Sequence, residues 1–176
     1  MQEFSFSTFP ELSTERLTLR QLSFEDIKPI FRLRSNKEIN EFITRETPKN
    51  LNEAEAFIDT CLSEFEKENR VFWGLELKSR NQLIGSIALH RIDLENNFAE
   101  IGYEVNPDFQ DEGYMSEAMS KVLDFGITSM NLKTLEAFTH QNNTASIALL
   151  EKYLFVLQPE RRDETIEDNR IYKFGG

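Results

Sequence analysis

From residue 71 to residue 105 the chain reads as three strands in a row, 71–77, 83–92 and 98–105, separated only by the polar turns SRNQ and DLENN. Connections this short cannot carry a crossover, so an antiparallel meander is expected. A meander needs apolar cover, and the flanking stripes supply it. Before it, RLTLRQL (16–22) alternates as a strand, and Ser23, Glu25 and Asp26 open a helix carrying Ile27, Ile30, Phe31 and Leu33. A stronger helix opens at Asn52, with Ala54, Phe57, Ile58, Cys61, Leu62 and Phe65 on one stripe. After the meander, a helix carries Met115, Ala118, Met119, Val122, Phe125 and Gly126 on one face. A strand at 134–139 and a helix at 144–153 follow, and strands at 155–158 and 166–174 close the chain around PERRDET. This order, β-α-α-β-β-β-α-β-α-β-β, predicts one α/β (α+β) domain. Its sheet is mixed, mostly antiparallel and seven-stranded, flanked by about four helices. Residues 1–11, with three Phe separated by Ser and Thr, read as an N-terminal arm, and 12–176 as the domain.

Composition narrows the function class. With 176 residues the chain has room for one substantial core. No apolar run reaches the length of a membrane span and no basic-then-apolar leader opens the chain, so a cytoplasmic protein without a membrane partner is the default. A net charge of −11 argues against a nucleic-acid partner, which needs clustered Lys and Arg. The single cysteine, Cys61, lies on the apolar stripe of a helix and reads as core. Neither histidine pair nor cysteine cluster has metal-ligand spacing, so no metal is implied.

The densest chemical signal is PDFQDEGYMSEA (107–118), which joins the third meander strand to a helix. Pro107 ends the strand, Gly113 allows positive φ, and amides from Asp111 to Ser116 gather at the positive end of a helix dipole, a geometry that binds phosphates. The turn is itself acidic, through Asp111 and Glu112. A second strand-to-helix junction, HQNNTASIALLEKYLF, places Asn143 as helix N-cap.

These segments together resemble the GNAT superfamily of acetyl-CoA-dependent N-acetyltransferases, most closely its Rim-type branch. The resemblance spans about 12–174 and rests on ELSTERLTLRQL, LIGSIAL, AEIGYEVNPDFQDEGYMSEAM and NTASIALLEKYLF. It implies that Gln110, Asp111, Glu112, Gly113, Tyr114, Met115 and Ser116 hold the CoA pyrophosphate on the pattern Q/R-x-x-G-x-G/A. It further implies that Tyr103, Glu104 and Val105 lie along the pantetheine arm, and that Asn143 and Ser146 contact the cofactor near its thioester. Four positions depart from the family pattern: Asp111 and Met115 replace small residues, Glu112 a basic one, and Leu154 the glycine after the last helix. Within the loop, phosphate binding then rests on backbone amides and Gln110.

Acyl transfer to an amine requires loss of a proton from the ammonium, polarisation of the carbonyl and neutralisation of the thiolate. With no Ser-His-Asp arrangement apparent and Cys61 on a buried stripe, direct attack in a ternary complex is expected rather than an acyl-enzyme. Glu100, on the strand before Gly102 and Tyr103, is the first choice of base, with Glu76 and His90 in reserve. The family's acid, a tyrosine four residues after Ser146, is Leu150 here. Ser146, or a water it holds, is therefore the expected proton donor, with Tyr153 as a second choice. The implied acceptor is a primary amine, either a protein N-terminus or a small amine. A GNAT-fold acyl-CoA sensor or interaction module without catalysis is the alternative. The arm and edge strands leave a homodimer open.

Overall fold

The computed structural model describes residues 4–175. Among them one sheet holds eight strands: β1 (Leu12–Ser13), β2 (Leu17–Arg20), β3 (Arg70–Leu77), β4 (Gln82–Asp93), β5 (Phe98–Val105), β6 (Thr134–His140), β7 (Val156–Leu157) and β8 (Asn169–Phe174). Their spatial order is β1-β2-β3-β4-β5-β6-β8-β7. The helices are α1 (Ile27–Arg34), α2 (Lys37–Asn40), α3 (Leu51–Glu66), α4 (Tyr114–Thr128) and α5 (Thr144–Lys152). The mixed sheet and single domain agree with the sequence reading. The additional elements are small: β1 is two residues long and α2 a single turn, too short for a periodic pattern. The third helix begins earlier than expected, because Asn50 rather than Asn52 is its N-cap and accepts a hydrogen bond from Glu53 N at 3.1 Å.

Alternation sorts each strand between two apolar layers. On one face Leu17, Trp73, Leu75, Ile87, Leu89, Ile101 and Leu135 pack against Ala118, Met119 and Val122 of α4 and Leu150 of α5. On the other, Phe72 and Leu83 meet Ile30 of α1 and Ala54, Ile58 and Cys61 of α3. The N-terminal segment joins the first layer: Phe6 and Phe9 lie against Phe65, Phe4 against Phe125, and Trp73 Nε1 donates to Pro10 O at 2.7 Å. Residues 1–3 of the expected arm lie outside the described residues.

One feature of the sheet positions the site. β3, β4 and β5 pair antiparallel as the meander requires, but β5 and β6 run parallel. They pair only at Phe98↔Thr134, Ala99↔Leu135 and Glu100↔Glu136. Beyond Glu100 the two strands separate, although β5 continues to Val105 and β6 to His140. The sheet is therefore split between two neighbouring strands, and the backbone of Ile101–Val105 on that edge has no strand partner on the β6 side.

At the end of α5, Leu154 N donates to Glu151 O and Phe155 N to Leu150 O, both at 3.0 Å, which is a Schellman ending. Leu154 occupies its left-handed position with φ 65° and is 75% exposed. An L-residue there loses about 1–2 kcal/mol, and glycine returns part of that as unfolded-chain entropy. Leu154→Gly is therefore expected to stabilise the protein by about 0.5–1 kcal/mol, read as a higher urea midpoint with an unchanged slope.

Candidate active site

The split between β5 and β6 opens into a cleft of about 450 Å³. Its walls are the end of β5 (Tyr103 to Val105), the turn into α4 (Gln110, Asp111, Gly113 to Ser116), the start of α5 (Asn142 to Ser146) and the α2 region (Glu38, Ile39, Glu41 to Ile43). The loop, β5 and α5 residues proposed from sequence thus border one space, except Glu112, which is exposed and is absent from the lining.

The turn into α4 is built to leave amides free. Asn106 caps the short turn Pro107–Phe109, Gln110 is extended, and both Asp111 (φ 60°) and Gly113 (φ 81°) are left-handed. Gly113 is the N-cap of α4 and has no side chain to satisfy its first-turn N–H groups, which are left for an external acceptor. At α5 the cap is filled: Asn143 Oδ1 accepts from Ser146 N at 3.1 Å.

The charge the loop lacks comes from distant segments. Arg16 of the ERLTLR stretch donates from Nη1 to Glu112 O at 2.9 Å, lies over the Tyr114 ring at 4.2 Å and pairs through Nε with Glu117 Oε2 at 2.8 Å. Its Nη2 lies 3.4 Å from where a side chain on Gly113 would begin. From α5, Lys152 Nζ donates to Ser116 Oγ at 2.7 Å. Lys121 and Lys152 line an adjoining open groove of about 700 Å³ that begins at Gly113 and Ser116.

At the inner end of the cleft a hydroxyl chain crosses the split. Tyr103 OH and Ser146 Oγ are 2.8 Å apart, and Thr139 Oγ1 of β6 donates to Ser146 Oγ at 2.9 Å. Burial pushes the Tyr103 phenol up to about 12, against the pull of the Ser146 hydrogen bond, so it stays protonated at neutral pH. Tyr103 and Val105 belong to the α4 side of the sheet, and Glu104 projects to the opposite face. There Glu104 Oε2 lies 2.5 Å from Arg45 Nη1, off the hydrogen-bonding axis. The charged residues lining the cleft are all acidic: Glu38, Glu41, Glu104 and Asp111.

The Acetyltransferase (GNAT) domain family matches residues 16–156, most of the chain. The chain belongs to the GNAT acetyltransferase family. It is 34% identical over 147 residues to the uncharacterized N-acetyltransferase YoaA of Bacillus subtilis, covering 84% of this chain and 83% of YoaA. RimL, a ribosomal L7/L12 alpha-N-protein acetyltransferase solved with coenzyme A, shares the fold with a TM-score of 0.82 at 17% identity, over 94% of this chain and 97% of RimL. The microcin C7 self-immunity acetyltransferase MccE, solved with acetyl-CoA and AMP, does so with a TM-score of 0.80 at 20% identity, over 92% and 93% of the two chains.

As a GNAT acyltransferase, the protein distributes the remaining sequence-proposed residues unevenly. Ser146 is in the hydroxyl chain. Leu150, at the position of the family's tyrosine, is fully buried in the core. Tyr153 donates to Ser116 O at 2.6 Å and braces α5 against the first turn of α4, rather than reaching Ser146. Glu100 is outside the cleft: Arg91 Nη1 donates to its Oε1 at 2.9 Å, and it lines a separate recess of about 290 Å³ with His90 and Gly102. Burial, with Arg70 and Arg91 adding to it, pushes His90 down to about 4, so it is neutral at pH 7. Glu76 is tied to Arg20 at 2.7 Å, which also holds Asp26. Sequence reasoning missed Arg16, Arg45, Thr139 and Lys152; Arg16 stood in a quoted motif, but only as a strand residue. Among the described residues, no group of three or more His, Cys, Asp or Glu is arranged to hold a metal ion, and no helix is long and apolar enough to cross a membrane.

Proposed function

We propose that the protein transfers an acetyl group from acetyl-CoA to a primary amine by direct attack in a ternary complex. The observation that carries this is the split itself: uncapped α4 amides at one end, the Tyr103–Ser146–Thr139 chain at the other, and an acidic wall facing the incoming amine.

The residues present fit the cosubstrate. Free amides of α4, reinforced by Arg16 and Lys152, suit a pyrophosphate, and the unpaired β5 edge suits the amide-rich pantetheine arm. Acetyl-CoA supplies the activated thioester. The protein supplies position, a neutral phenol and serine that return a proton to the departing sulfur, and a carboxylate-lined entrance that concentrates a cationic amine. A protein N-terminus and a small amine are both cations at neutral pH. Related proteins include acceptors of each kind by name: RimL for a ribosomal protein, and a spermidine N(1)-acetyltransferase of Vibrio cholerae, 26% identical over 141 residues. The test is thiol release from acetyl-CoA on addition of N-terminal peptides and small amines.

The acidic loop sets the affinity. Asp111 holds φ 60° where glycine is at ease, and its carboxylate lines the cleft beside the free amides. Asp111→Gly removes both the strain and the repulsion. It is expected to tighten acetyl-CoA about 3- to 5-fold in a calorimetric titration, a gain of roughly 1 kcal/mol for one partly screened charge, without loss of stability.

A further inference from the structure

We propose that Glu104 is the catalytic base, the group that takes the proton from the acceptor amine. This rests on the acetyltransferase reading above and assigns its one unfilled role. Glu104 is 8% exposed, yet it lines the cleft. It projects from β5 to the face opposite Tyr103, so the split has the hydroxyl chain on its α4–α5 side and this carboxylate on the α1–α3 side.

The carboxylate is incompletely satisfied. Glu104 Oε2 has no hydrogen-bond partner among the described residues, and Arg45 Nη1 beside it is misaligned for one. A buried carboxylate oxygen without a donor is costly unless a ligand supplies the donor, and an ammonium supplies three. Arg45 is itself fixed: its Nε donates to Asn40 Oδ1 at 2.9 Å, and Asn40 Nδ2 donates to Arg34 O at 2.8 Å. Glu104 is thus ion-paired with a positioned cation inside the cleft wall. Glu100 differs in place: it pairs with Arg91 and lines a recess outside the cleft.

The charged and titratable groups around Glu104 are Arg45 and Arg34 on the helical side, Glu38 and Glu41 along the α2 wall, Asp111 across the cleft, and His140 of β6, tilted against the Phe42 ring at 5.4 Å. Burial raises the Glu104 carboxyl from its ordinary value, while Arg45 and Arg34 hold it down. That balance moves a carboxylate toward the basicity needed to deprotonate an ammonium.

The Glu104 carboxylate accepts one proton from the ammonium and later passes it to solvent. The freed nitrogen lone pair forms the N–C bond to the acetyl carbonyl, and the C–S bond breaks with its electron pair leaving on sulfur. A second N–H proton reaches that sulfur through the Ser146 and Tyr103 hydroxyls. The products are the acetamide, the free thiol and one released proton.

The experiment compares wild type, Glu104→Gln and Glu100→Gln by thiol release on the amine panel across pH 5.5–9, with acetyl-CoA affinity measured calorimetrically on each. Glu104→Gln is expected to lower kcat at least 100-fold with acetyl-CoA affinity within about twofold, and to abolish the acid limb of kcat/KM. Glu100→Gln is expected to stay within about threefold of wild type. Arg45→Met gives a readout that does not depend on Glu104→Gln folding: losing the cation raises the base's pKa, so the acid limb moves to higher pH. A Glu104→Gln enzyme with wild-type turnover and limb, or an Arg45→Met limb that does not move, overturns the assignment while leaving the acetyltransferase reading in place. A wild-type protein that binds acetyl-CoA but releases no thiol overturns both.

Discussion

Gly85→Ala will lower stability by about 2–3 kcal/mol, seen as a fall of roughly 5–10 °C in Tm for a domain of this size. Gly85 lies in LIGSIAL, just after the point where β4 slips one residue against β3 and opposite Val105 of β5. A Cβ there would overlap the Glu104 carbonyl oxygen and sit 3.0 Å from Val105 Cα. Both obstacles are backbone, so no rotamer relieves them. The strands must part at the end of β5 that lines the cleft, so acetyl-CoA affinity is expected to fall as well. Gly102→Ala is the control. Its Cβ would meet only the His90 side chain, at 3.2 Å, and that ring can give. If Gly85→Ala unfolds at the wild-type temperature, the close approach of β4 to β5 does not hold the cleft's edge in place.

Arg16→Ala is expected to weaken acetyl-CoA binding about 10- to 30-fold, which corresponds to roughly 1.4–2 kcal/mol. The guanidinium joins three parts of the loop: the Glu112 carbonyl, the Tyr114 ring and the Glu117 carboxylate. Glu117 also accepts from Arg16 N at 2.8 Å and from the Thr14 hydroxyl, so the turn between β1 and β2 is locked to the first turn of α4. Without Arg16, the acidic side chains of Asp111, Glu112 and Glu117 keep only Lys121 and Lys152 of the adjoining groove as counter-charges. Arg16→Lys is expected to recover less than half of the lost binding energy, because an ammonium cannot span the carbonyl and the carboxylate as the planar fork does. The loss is expected to shrink in high salt, since the loop is exposed. Isothermal titration at two ionic strengths reads both effects.

Much of the frame was legible in the sequence because it is local. The meander followed from alternation over 71–105 and from turns too short for a crossover, α4 from its stripe and α5 from its Asn143 cap. The cleft-forming segments were legible as motifs at strand-to-helix junctions. What was not legible joins residues far apart. Arg16 and Glu117 are separated by 101 positions, and the contact of Arg45 with Glu104 depends on how an irregular segment after α2 folds back on the sheet. The sign of φ at Asp111 was also hidden: aspartate is compatible with either hand, and the backbone proved left-handed. The choice between Glu100 and Glu104 shows the same limit. Both alternate to one face of β5, and only the point where β6 departs decides which of them borders the split.

The cleft's assignment is tested most directly by a calorimetric titration with acetyl-CoA, followed by thiol release on a panel of N-terminal peptides and small amines. Saturable binding and amine-dependent release of one thiol per acetylated product are expected. Binding without turnover on every amine would make the protein an acyl-CoA sensor on an acetyltransferase fold. No binding at millimolar acetyl-CoA would contradict the cleft assignment itself.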